Sequence, residues 1–97
     1  MTSKQRAYLK SLAMKLNPCV QVGKEGVTPE NTKAAEEALT ARELIKIGVL
    51  QNCEENPKDV AETMAGRTHS EVVQVIGKKI VLYREGKDEK KKIVLPR

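Results

Sequence analysis

Ring-bearing side chains are almost absent: two tyrosines, Tyr8 and Tyr83, with no phenylalanine and no tryptophan in 97 residues. Readers of unstacked bases work through aromatic platforms, so this chain is poorly equipped to recognise bases by stacking. Histidine occurs once, at His69, and the two cysteines, Cys19 and Cys53, stand far apart with no C-x-x-C. These suggest neither a zinc set nor a redox pair; two buried free thiols are the expectation, with a single Cys19–Cys53 disulfide as the less favoured alternative in an intracellular chain. His69, being alone, reads as a loop or surface residue. There is no nucleophile–base pair and no Walker A lysine motif, which argues against an enzyme, a cofactor or a small-molecule substrate. No run is long and apolar enough to span a bilayer, and the opening MTSKQRAYLK lacks the apolar core of a signal peptide. The expectation is a cytoplasmic chain without a membrane partner.

What is present describes a single domain over residues 1–97, with 39% hydrophobic and 32% charged residues. A chain of this size buries only about 60–65% of its unfolded surface, so the fold must be simple, and it can work as a monomer. Eighteen Lys and Arg against thirteen Asp and Glu leave a net charge of +5. That surplus favours polyanionic partners through counterion release.

In order, residues 3–16 read as a first helix, with Leu9, Leu12, Ala13 and Leu16 on one stripe. Lys4 and Lys15 flank that stripe on one shoulder, Arg6 and Lys10 on the other. Asn17-Pro18 ends the helix. Cys19 to Val22 suits a first strand, and a second helix runs from about Pro29 to Arg42 behind the N-cap Thr28. Residues 43–51 alternate Ile45, Ile47 and Val49 as a second strand. Asn56 caps a third helix from Pro57, with Gly66 as the expected C′ residue and Arg67 to Ser70 as a polar loop. Strands at 71–76 and 79–84 follow, joined by Gly77-Lys78 in a II′ hairpin. Residues 86–97 form a basic tail, charge-rich from Lys87 to Lys92, in which Ile93 to Leu95 can add an edge strand or stay loose. The expected architecture is α/β: a two-layer α+β arrangement with a mixed four-stranded sheet and three helices.

Between the first strand and second helix lies Gly23-Lys24-Glu25-Gly26. Two glycines three apart let a backbone turn tightly and approach a ligand. The N–H groups opening the next helix would point back at the turn and favour phosphate. Glu25 and Glu30 oppose this, so Lys24 and Lys33 must compensate.

The chain resembles the CRM domain (chloroplast RNA splicing and ribosome maturation) and its stand-alone bacterial YhbY-like members. The resemblance rests on Lys4-Gln5-Arg6 with Leu9 to Ala13, Val22 to Gly26, Glu43 to Lys46, Val73 to Gly77, Val81 to Arg84 and Leu95-Pro96-Arg97. It implies a fold similar to the C-terminal domain of bacterial translation initiation factor three, with a glycine loop used as in KH domains. It also implies binding to RNA of large-ribosomal-subunit precursors in ribosome assembly. The RNA-contacting candidates are then Gly23, Lys24, Glu25 and Gly26 in the loop, with Lys4, Arg6, Lys10, Lys33, Lys46 and Arg67 around it. An alternative use is a protein-interaction module that docks on ribosomal proteins or assembly factors.

Overall fold

The computed structural model describes residues 1–86 and 93–96. Helix α1 (Ser3–Ala13) begins at a capping box in which Thr2 accepts from the Gln5 N–H and the Gln5 side chain accepts from the Thr2 N–H. It ends three residues before the expected Leu16. Lys15 and Leu16 bond to carbonyls three residues back, so the last turn tightens before Pro18. Strand β1 (Val20–Val22), helix α2 (Pro29–Arg42) and strand β2 (Leu44–Val49) follow the spacing read from the sequence.

Helix α3 (Pro57–Thr68) departs from expectation by running through Gly66 and taking in Arg67 and Thr68. Its last turn is tied down from outside. The buried Thr68 donates its hydroxyl to the Met64 carbonyl, and its own carbonyl accepts from Arg84. His69, at φ 53° and ψ 44°, takes the left-handed closing position assigned to Gly66. Strands β3 (Glu71–Ile76) and β4 (Lys79–Tyr83) form the hairpin, with Ile76 opposite Lys79. Gly77 takes φ 54°, as the first central residue of a II′ turn must.

The sheet order is β1-β2-β4-β3, with β1 parallel to β2 and the other pairs antiparallel. Pairing residues share a face, which divides the side chains into two cores. Val20, Val22, Ile45, Ile47, Val49, Ile80 and Leu82 meet Ala35 and Leu39 of α2 and Val60, Ala61 and Met64 of α3. On the other face Leu44, Val73, Val81 and Tyr83 meet Leu9 and Ala13 of α1. The two-layer expectation thus gains a partial third layer. With cover on both sides β2 is apolar almost throughout, as a buried central strand should be. Fully burying each such side chain contributes about 1.5–3 kcal/mol before entropy is counted.

A bulge between Val72 and Gln74 breaks the register of edge strand β3. The Arg6 guanidinium donates to the Val72 and Val73 carbonyls at 2.7 and 2.8 Å, so the acceptors beside the bulge are satisfied. Of the tail, residues 87–92 and 97 lie outside the described ones. Ile93 and Leu95 pack against the α1 core without forming a strand. Gln5 donates to the Pro96 carbonyl. Both cysteines are free, but Cys19 is exposed and Cys53 half-buried, against the expectation of two buried thiols.

Candidate nucleic-acid interface

The glycine turn closes with the Gly26 N–H on the Gly23 carbonyl at 2.9 Å. Lys24 and Glu25 are exposed at its apex. Gly26 is buried at φ 70°, and a Cβ there would stand 2.6 Å from Glu55 Oε1. Its need for glycine is therefore conformational, and the space beside it belongs to a carboxylate. Gly23 is half-buried, and a Cβ would meet Leu50 and Asn52 at 3.3 and 3.4 Å.

The anion site expected at the start of α2 is largely closed. The Thr28 N–H donates to Asn31 Oδ1 and the Asn31 N–H to Thr28 Oγ1, while Pro29 has no N–H to offer. Of the four N–H positions that open a helix, this leaves that of Glu30, whose own carboxylate repels phosphate. Asn31 also donates to the Gly26 carbonyl, fixing the turn to the helix. The turn faces outward chiefly through the side chains of Lys24 and Glu25.

Position along the sheet sorts the other candidates. Val22 pairs with Val49, Leu50 donates to the Val22 carbonyl, and Val49 donates to the Lys78 carbonyl. The glycine turn and the Gly77-Lys78 hairpin therefore flank the end of β2 at one end of the domain. Lys33 lies two residues beyond Asn31, exposed on α2 near that end. Lys46 lies midway along β2 on the face α1 partly covers, and Lys10 is in the last turn of α1. Lys4 and Arg6 lie in the N-terminal half of α1, where Gln5 reaches Pro96 and Arg6 is engaged by the bulge. Arg67 closes α3 beside Thr68, at the Glu71 and Tyr83 end of the sheet. These last three stand apart from the turn.

Two lysines the sequence reading passed over join the loop end: Lys78 at the hairpin tip and Lys79 beside it, both exposed. Their only sequence signal was the Gly-Lys-Lys hairpin. Its position beside β2 follows from strand order, which a linear pattern does not show. Among the described residues no three His, Cys, Asp or Glu side chains are placed to hold a metal, and no helix is long and apolar enough to cross a membrane.

A four-stranded mixed sheet with a glycine turn leading into a capped helix and lysines at the loop end makes this a small α/β domain with a basic end. The CRS1 / YhbY (CRM) domain matches residues 1–84, and the chain belongs to that family. It is 53% identical over 96 residues to the "Probable RNA-binding protein YqeI" of Bacillus subtilis, covering 99% of both chains. It is 38% identical over 97 residues to an "RNA-binding protein" of Haemophilus influenzae, covering 100% of this chain and 96% of that one. The solution structure of the hypothetical protein SAV1595 from Staphylococcus aureus superposes with a TM-score of 0.83 at 48% identity, over 99% of each chain.

Proposed function

We propose that this protein is a non-enzymatic, monomeric RNA-binding factor of the cytoplasm that acts on ribosomal RNA of large-subunit precursors during ribosome assembly. Family membership supports RNA as the partner, and the YhbY-like resemblance supports the ribosomal setting. The observation that carries the reading is the clustering of exposed Lys24, Lys78 and Lys79 on two turns flanking the end of β2. Ammonium groups on turns reach phosphates without needing base chemistry, and a chain with two tyrosines and no other aromatic side chain has little with which to read bases. Recognition is therefore of backbone and shape.

The test is binding to transcripts of large-subunit rRNA across a salt series. Neutralising about four to six phosphates gives log K against log salt a slope of roughly −3 to −5. A binding constant indifferent to salt refutes the proposal. Ribosomal partners that remain attached after exhaustive RNase digestion would establish the protein-docking alternative instead.

A further inference from the structure

Helix α1 covers only half of its sheet face. Its core partners are Leu44, Val73, Val81 and Tyr83, toward the Glu71 end. Beyond Ala13 the register lays out an open row that crosses all four strands: Gln21, Gly48, Lys79 and Ile76. A second row, Lys46, Val81 and Gln74, lies between it and the helix. Lys46, Gln74, Ile76, Lys79 and Val81 of these rows line a cavity of about 120 Å³ against Ala13.

Four features make this half of the face unlike an ordinary solvated sheet. The residues of the two rows include two lysines and two glutamines but no carboxylate. The nearest acid in either strand of the hairpin is Glu71, at the far end of β3. Lys46 and Lys79 are diagonal neighbours on paired strands, about 7–8 Å apart at the backbone, so their ammonium groups can reach adjacent phosphates of one strand. Gly48 leaves the surface low at its centre, and the Gln21 side chain lies across it, with Oε1 2.5 Å from where a Cβ would stand. Ile76, 59% exposed, supplies apolar surface at the rim. The glycine turn, by contrast, carries Glu25 at its apex and Glu55 against its base.

Resting on the RNA reading above, we infer that the sugar-phosphate backbone of an unpaired RNA strand lies across this open half of the sheet. Lys46 and Lys79 hold its phosphates, and Gln21 and Gln74 meet ribose hydroxyls and phosphate oxygens. The glycine turn is then a rim of the site rather than its centre. Glutamine amides can both donate to and accept from a 2′-hydroxyl, so RNA is preferred to DNA of the same sequence.

The test compares the full chain with K46Q/K79Q and with R42Q/K58Q, which removes two exposed charges from the α2 and α3 side. The probes are single-stranded oligouridylate, oligodeoxyuridylate and an RNA duplex of equal length. K46Q/K79Q is expected to bind oligouridylate about tenfold more weakly, with a salt slope less negative by about 1.4. Its melting temperature should stay at the wild-type value, since neither ammonium is part of a core. R42Q/K58Q should change affinity by less than about threefold. In a titration of wild type, the Gln21 and Gln74 side-chain amides and the Ile76 methyl should shift. Equal losses in the two double variants, tighter binding of the duplex, or unmoved Gln21, Gln74 and Ile76 signals would overturn the sheet path and leave the RNA reading standing. Failure of wild type to bind any RNA probe would overturn both.

Discussion

Replacing Glu43 by alanine should unlatch the C-terminal segment from the sheet. This residue is the whole connection between α2 and β2, and it sits fully buried with a non-glycine φ of 65° and ψ of −40°. Its carboxylate accepts from the Gly86 N–H at 2.7 Å and from the Ile93 N–H at 2.9 Å, so one side chain pins both flanks of residues 87–92. Its backbone is engaged as well, donating to the Leu39 carbonyl and accepting from the Arg84 N–H. Hydrogen bonds to a charged group contribute about 1.5–3 kcal/mol each, so losing both should cost about 3–6 kcal/mol. That is a large part of the roughly 5–15 kcal/mol a domain of this size possesses. Glutamine keeps one acceptor oxygen and should cost about 1.5–3 kcal/mol. Glycine loses the clasp as alanine does but relieves the positive φ, and should be about 1 kcal/mol more stable than alanine. Urea unfolding followed by far-ultraviolet circular dichroism gives the order wild type, Gln, Gly, Ala, and amide exchange at Gly86 and Ile93 should quicken in step. An alanine variant within about 0.5 kcal/mol of wild type, the range of an ordinary surface change, would refute the clasp.

Tyr83 should behave as an alkaline liability. Its hydroxyl is buried with no hydrogen-bond partner among the described residues, and its pKa is pushed from 10.0 up to about 12, first by burial and then by the Glu43, Glu85 and Glu71 carboxylates. The unfolded chain releases this proton near pH 10 and the folded one near 12. The stabilising contribution is thus complete below pH 10 and is lost as pH rises through about 12. Tyr83→Phe should be neutral or up to about 1 kcal/mol more stable at neutral pH and should lack this part of the alkaline decline. Denaturation midpoints across the alkaline range check both, and a strongly destabilised phenylalanine variant would show that the hydroxyl has a partner. Gly26→Ala should lower stability by about 1–2 kcal/mol because φ is 70°, whereas Gly23→Ala, with contacts no closer than 3.3 Å, should cost less than about 1 kcal/mol. Thermal melts that rank the two in the opposite order would refute this assignment of roles.

The parts of the fold visible in the sequence are those set by local chemistry. Thr28-Pro29 and Asn56-Pro57 start their helices where cap and proline direct, and Gly77-Lys78 makes the expected hairpin. What stayed hidden depends on partners distant in the chain. Gly66 looked like a helix end because glycine usually stops a helix, but Thr68 is held by Met64 and Arg84, and those contacts outweigh the local preference. Arg6 looked like a free cation until the β3 bulge supplied two carbonyls for it. Glu43 carried no signal as a clasp, since Gly86 and Ile93 lie 43 and 50 residues away. At the candidate site the glycine turn was legible, while the pairing of Lys46 with Lys79 required knowing that β4 enters between β2 and β3.

That strand order also explains why acidic residues crowd a turn read as a phosphate contact. Helices α2 and α3 both begin at the loop end, and Glu30 and Asp59 lie in their first turns, where the helix dipole favours negative charge. With Glu54 and Glu55 they outnumber Lys33 and Lys58 on that side. The opposite sheet face, where α1 starts at the far end rather than the loop end, carries lysine and no acid in its open rows. The loop end is therefore divided electrically by the sheet, and the glycine turn sits on the boundary with Lys24 and Glu25 side by side. A polyanion approaching this end is drawn to the sheet face and repelled from the helix face, so the orientation of RNA follows from where two helices had to start.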